Sequence, residues 1–185
     1  AGTCPALVIC STSNVLSMVE LVDQYKYSNA DSALFYAQRA LTLSRKIQFH
    51  EGEFRSLFMM GFALSIASNH SRALEVELRA LRIAEKYNYT IGKGEVYNRL
   101  GVIYRETKDF PRALFYFKQS KQLFDSLHNY YMAVTSEAHI GRTYYVMNRP
   151  DSAFYYCLMA DKNIKRYGSE DMSCPNFIIL ARLQS

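Results

Sequence analysis

The chain of 185 residues has no tryptophan, only 4 prolines and only 8 glycines. So little proline and glycine excludes polyproline segments, collagen-like repeats and long glycine loops. No apolar run approaches the roughly 18 residues of a membrane-spanning helix. Charge of one sign is scarce too: 22 basic against 17 acidic residues leave +5. The densest basic cluster, Lys162, Lys165 and Arg166, is interrupted by Asn163 and Ile164. That reads as a solvated helix face, which argues against a nucleic-acid partner. Four cysteines, Cys4, Cys10, Cys157 and Cys174, form no C-x-x-C pair and have no histidine at ligand spacing, so no zinc site is expected. The four histidines make no H-E-x-x-H motif and no i, i+4 pair. They read as turn or surface residues. Gly92-Lys93-Gly94 lacks the spacing and the preceding strand of a phosphate loop and reads as a connector. With no catalytic constellation, the expectation is a protein that is not an enzyme and takes no cofactor.

What the chain has in abundance is hydrophobic and aromatic residues, 49% and 14%, the latter from 15 Tyr and 11 Phe. Such a composition supports a packed core, with tyrosines half-buried and their hydroxyls wet. It also has a ruler. Gly61, Gly101 and Gly141 are spaced by 40, as are Ala33, Ala73, Ala113 and Ala153. Seven residues after each alanine stand Ala40, Ala80, Ser120 and Ala160. Internal repetition at such a period marks an array of small units.

Each period carries two helical patterns. Phe54, Leu57, Phe58, Gly61, Phe62 and Leu64 recur at spacings of three and four, one face of a helix. A polar break, Ser68-Asn69-His70-Ser71, precedes a second helix carrying Ala73, Leu74, Val76, Ala80, Leu81 and Ala84. Asp109-Phe110-Pro111 and Arg149-Pro150-Asp151 open the equivalent helices with proline in the first turn, where its missing N–H does no harm. Glycine in mid-helix costs about 1 kcal/mol relative to alanine. Its recurrence at one register implies a close approach between helices, for which the alanine columns are the expected partners.

These columns resemble the tetratricopeptide repeat. Tyr97, Leu100, Gly101, Tyr104, Ala113 and Phe117 match its pattern in the third period. Leu57, Met60, Gly61, Leu64, Ala73 and Ala80 match in the second, and Ile140, Gly141, Tyr144, Ala153 and Ala160 in the fourth. The first is weaker, with Leu21 in place of glycine. The usual unit is about 34 residues; the longer period here resembles the long-repeat arrays of bacterial signalling proteins. The resemblance implies an all-α fold, a right-handed superhelical array of antiparallel helix pairs. Its expected organisation is an N-terminal extension over 1–11 and a single array over 12–185. Second helices start near 31, 71, 111 and 151, and a partial fifth repeat covers 172–185, where Phe177, Leu180 and Ala181 fit a further first helix.

The implied function is non-catalytic binding of a protein or peptide by the sensing or scaffolding part of a bacterial signal-transduction protein. The ligand lies in a concave groove lined by first helices. The family's groove columns fall on Arg55, Phe58, Phe62, Glu95, Asn98, Val102, Arg105, Arg142 and Tyr145, with Met18, Val22 and Tyr25 from the weak first repeat. The aromatic residues offer apolar anchors, Asn98 can bond a peptide amide, and Arg105 and Arg142 can grip a carboxylate. An acidic or C-terminal peptide segment is therefore the expected partner. The lysines of the chaperone-binding groove are missing, and Arg105, Glu106 and Glu95 can instead pair within their own helix. Two alternatives stay open. One is self-association, including a homodimer, or intramolecular regulation through the aromatic second helices (Phe35-Tyr36, Phe115-Tyr116-Phe117, Phe154-Tyr155-Tyr156), although packing of these rings inside the array is the expectation. The other is RNA binding by a helical repeat. The compartment stays open between cytoplasm and periplasm. Ala6–Cys10 resembles a lipoprotein cleavage site, against which Ile9 argues, so a secreted or lipid-anchored parent is the remaining option.

Overall fold

A computed structural model describes residues 5–167, with side chains described over 11–166. The expected fifth repeat, Cys4 and Cys174 lie outside the described residues. Eight α-helices and no strand occur among the described residues: α1 (Pro5–Tyr25), α2 (Ala30–Lys46), α3 (His50–Ile66), α4 (His70–Lys86), α5 (Thr90–Glu106), α6 (Phe110–Ser126), α7 (Tyr130–Val146) and α8 (Pro150–Tyr167). They fall into two compact units, Ala1–Gly92 and Lys93–Ser185. In the first, α1 packs on α2 and α3, α2 on α3, and α3 on α4; in the second, α6 packs on α7 and α7 on α8.

The local chemistry sets a beat of twenty residues, half the sequence period. Helices α2 to α7 are each 17 residues long, about 25 Å at the α-helical rise. Three residues join each to the next. The middle one is left-handed in every case: Gln48, Ser68, Asn88, Lys108, His128 and Asn148, with φ between 54° and 64°. The Lys108 N–H donates to the Arg105 carbonyl (3.0 Å) and the Asp109 N–H to the Tyr104 carbonyl (2.8 Å). This is the Schellman closure, which satisfies the last carbonyls of a helix. The other five connectors repeat it. Connectors within a hairpin and between hairpins are therefore alike. The α1–α2 connector differs: the Ser28 and Asn29 N–H groups both donate to the Tyr25 carbonyl, with no left-handed residue.

At the other end of the helices, short polar side chains cap the exposed N–H groups. Asn29 accepts from Ser32 N–H (3.0 Å), Asn69 from Arg72 (3.4 Å), Asp109 from Arg112 (3.2 Å) and Asn129 from Met132 (3.2 Å). Each cap is worth about 1 kcal/mol.

The alanine columns are fully buried: Ala33, Ala40, Ala73, Ala80, Ala113, Ala153 and Ala160. They are not what the glycines meet. Each glycine receives the side chain sixteen residues on. A Cβ on Gly101 would lie 2.6 Å from the Phe117 ring, one on Gly141 would lie 2.8 Å from Cys157 Sγ, and one on Gly61 would strike the Glu77 carboxylate. The glycine is a socket for a side chain of the paired helix, and the alanines pack elsewhere. The same register in the first repeat holds Leu21 and the buried Ala37. At this register the first repeat thus carries the large, half-buried side chain on the first helix and the small, fully buried one on the second.

Two further expectations are corrected. Gly92 and Gly94 lie in the first turns of α5, not in a connector, where they admit Phe54 (2.5 Å from a Cβ on Gly92) and Phe124 (2.6 Å from one on Gly94) respectively. The aromatic runs are not wholly packed. Phe117 is fully buried and Tyr116 stacks on Tyr104 (5.5 Å, 2°), but Phe115, Tyr155 and Phe35 stand 57%, 58% and 54% exposed. Successive residues turn about 100° around the helix, so one ring of each run has to face outward.

Two stability outcomes follow. Lys108→Gly removes a strained left-handed side chain and should raise stability by about 1 kcal/mol, whereas Lys108→Val should lower it. Gly101→Leu should cost about 1–3 kcal/mol by overfilling the Phe117 socket. Urea denaturation followed by circular dichroism reads both; an unchanged midpoint for Gly101→Leu would refute the socket.

Candidate functional site

The expected groove residues divide between the two units. Arg55, Phe58 and Phe62 belong to α3 in the first unit. Glu95, Asn98, Val102 and Arg105 belong to α5, and Arg142 and Tyr145 to α7, in the second.

In the first unit, Arg55 is exposed and pairs with Glu51 one turn earlier (2.7 Å). Phe58 is half-buried and stacks on the buried Phe54 (6.0 Å, 14°). Phe62 meets Tyr27 edge-on (5.7 Å, 86°). Val22, expected beside them, is fully buried and belongs to the core.

The second unit holds the more unusual chemistry. Asn98 is only 8% exposed, and neither its amide oxygen nor its amide nitrogen has a hydrogen-bond partner among the described residues. Helix geometry explains the burial: α5 is covered on more than one side, and Asn98 shares its face with the buried Gly94, Gly101 and Arg105, four, three and seven residues away. An unsatisfied buried amide costs about 1–3 kcal/mol. Glu95 and Val102 are half-buried on the same helix.

Arg105 is 6% exposed. Its Nε and Nη2 donate to Glu106 Oε1 at 3.3 and 3.1 Å, which is the intrahelical pairing that its neighbours allow. Its Nη1 lies 3.5 Å from His139 Nδ1. Arg105 can only donate, so His139 Nδ1 is the acceptor there and the ring proton sits on Nε2. Phe117 supports both groups: the His139 ring stacks on it (5.0 Å, 20°), and the Arg105 guanidinium lies 5.9 Å from its centre. The Gly101 socket thus seats the ring on which this polar pair rests.

Burial pushes the His139 imidazole down to about 3, and Arg105, Arg142 and Arg99 push the same way. The ring is neutral at any ordinary pH. Burial also lowers Arg105, with the Glu106 hydrogen bond opposing and the Arg142 charge adding to the fall, but a guanidinium so placed still keeps its charge. Arg142 is exposed and forms no ion pair among the described residues. Tyr145, three residues on, is half-buried. The second unit therefore combines an unpaired guanidinium, a seated one, and a buried amide with both hydrogen-bonding functions unused.

His139 was read from sequence as a turn or surface residue; the structure places it inside this cluster. The available signal was its position three residues before Arg142, on the same side of one helix. Arg99, whose charge also acts on His139, is a further residue that the groove columns do not include. Among the described residues, no group of histidine, cysteine, aspartate or glutamate is placed to hold a metal ion, and no helix is long and apolar enough to cross a membrane.

No protein-family model matches the chain, and no curated protein does. Solved structures do. The apo form of RapI is similar over 94% of this chain and 64% of its own length, with a TM-score of 0.81 and 17% identity. A Rap protein complexed with competence and sporulation factor is similar over 94% and 46%, with a TM-score of 0.79 and 19% identity. A signal-transduction ATPase with a tetratricopeptide repeat sensor from Pyrococcus horikoshii is similar over 87% and 25%, with a TM-score of 0.72 and 22% identity. The chain spans less than two thirds of each of these proteins. At such identities the likeness is one of fold, and that fold is the all-α helical repeat of the tetratricopeptide type.

Proposed function

We propose that the chain is a non-catalytic peptide- or protein-binding module, the sensing or scaffolding part of a bacterial signal-transduction protein. Within the second unit its ligand lies along α5 and α7, with Asn98, Arg105 and Arg142 as the polar contacts. The observation that carries this reading is Asn98. A carboxamide with both functions unpaired and over nine-tenths of its surface buried is a loss to the folded chain unless something completes it. A main-chain amide of an extended peptide offers one donor and one acceptor, the complement of that side chain. Arg142, charged and unpaired beside the seated Arg105, favours a carboxylate at the same place. The reading is also supported by the company the fold keeps: one similar structure is a complex with competence and sporulation factor, and another contains a tetratricopeptide repeat sensor. The first unit, taken by itself, offers Arg55, Phe58 and Phe62 as contacts for a peptide segment.

An array of random peptides, each present as free acid and as C-terminal amide, tests this. Free-acid and acidic peptides should be selected, and the best of them, labelled and followed by fluorescence anisotropy, should bind at least about tenfold more weakly to Arg142→Glu. Asn98→Ala should abolish binding while raising thermal stability, because it removes an uncompensated buried amide; a variant that loses both binding and stability would mean that Asn98 serves the fold. Affinity should stay level from pH 8 to pH 5, since His139 stays neutral throughout. Stability behaves differently. The unfolded chain protonates His139 near 6.5 and the folded chain only near 3, so this residue's contribution is lost as pH falls between those values. His139→Gln should flatten that part of the acid limb in a denaturation series.

A further inference from the structure

The first unit contains a site that its own chain already fills. Lys26 and Tyr27 follow α1 in the α1–α2 connector, the one connector without a left-handed residue. The Lys26 Nζ lies 5.2 Å from the centre of the Tyr27 ring and 5.2 Å from the centre of the Phe62 ring. These two rings meet edge-on at 86°, forming two walls of a corner. Asp23 closes it by accepting a hydrogen bond from the same ammonium group. The Lys26 side chain is only 20% exposed, whereas Tyr27 is 75% exposed and the Asp23 side chain 61% exposed. A lysine normally keeps its ammonium in water and buries only its stem; here two aromatic faces and a carboxylate hold the head itself.

We infer that this corner is a receptor for a cationic side chain of a bound peptide, a lysine or an arginine, and that Lys26 is its internal stand-in. Three features point to an exchangeable occupant rather than a fixed brace. The cation is held by quadrupole and charge, which any ammonium or guanidinium satisfies equally. The carboxylate and the outer ring are open to solvent, so a ligand has a path in. Lys26 sits on a connector, from which a flexible four-carbon stem can swing out without moving either helix. The site shares Phe62 with the contacts proposed for the first unit and rests on that reading to this extent, but it uses no residue of the second unit, takes the opposite charge, and is read at the Tyr27 and Phe62 rings.

The test uses the intact chain and n-butylammonium chloride, a lysine side chain without its backbone, against sodium chloride of equal ionic strength. Ring resonances of Tyr27 and Phe62 are followed by NMR. Lys26→Ala should bind n-butylammonium at least about tenfold more tightly than the natural chain, and Lys26→Ala combined with Phe62→Ala should lose that gain. In the natural chain, the ring-shifted Lys26 ε-methylene signals should move toward free-lysine values as the ligand displaces the side chain; this measurement stands even if Lys26→Ala fails to fold. An acetyl-Gly-Lys-Gly amide peptide should bind Lys26→Ala at least as tightly as n-butylammonium, and its norleucine counterpart should not bind. Equal response of Lys26→Ala and the natural chain, an undiminished response without Phe62, equal binding of the norleucine peptide, or Lys26 signals that never move would each overturn the proposal.

Discussion

The left-handed residue that closes every connector from Gln48 to Asn148 is the constraint on which the rest depends. It turns the chain within three residues and uses up the last carbonyls of each helix, so the next helix always starts after the same count. With 17-residue helices, a beat of twenty keeps each face in phase. Only because that phase holds can alanines forty residues apart all be buried and glycines forty residues apart all receive a side chain sixteen positions on. A left-handed side chain is unfavourable for Gln48, Ser68 and Lys108, less so for Asn88, Asn148 and His128, and the packed faces on either side compensate for it.

From that phase the polar cluster of the second unit follows by steps. Gly101 leaves room for Phe117; Phe117 carries His139 and lies under Arg105; His139, held neutral, accepts from Arg105 without adding a further positive charge beside it. A protonated imidazole there would face three guanidiniums. The aromatic socket is therefore both packing and electrostatics, since it is the burial on Phe117 that keeps the imidazole from charging. In the first unit the same register holds Leu21 and the fully buried Ala37 in place of a glycine and a larger partner.

The all-α repeat could be read from columns of identical residues, because small-residue columns survive wherever two helices come close. The twenty-residue beat could not. Its left-handed positions hold no glycine, and Lys108 or His128 gives no local sign of such a backbone. Gly92 and Gly94 misled for the converse reason: they admit Phe54 and Phe124 and have no part in a turn. Of the site, Asn98, Arg105 and Arg142 were picked out by register, but their burial was not, since Asn98 and Arg105 are covered by tertiary neighbours that composition does not reveal. His139 stayed hidden because a lone histidine has no period. The exposed ring of each aromatic run went against the expected packing, because a step of 100° per residue leaves no single core for adjacent rings.

The likeness of the connectors has a consequence for how such a chain can change length. Their backbone keeps no record of which helix opens a hairpin. Removing twenty residues would leave every remaining connector correctly formed, yet it would bring an alanine face to where a glycine socket is required, or a filled face against a filled one. Removing forty would preserve both. The length of genetic step that this architecture tolerates is thus written in its side chains and not in its backbone.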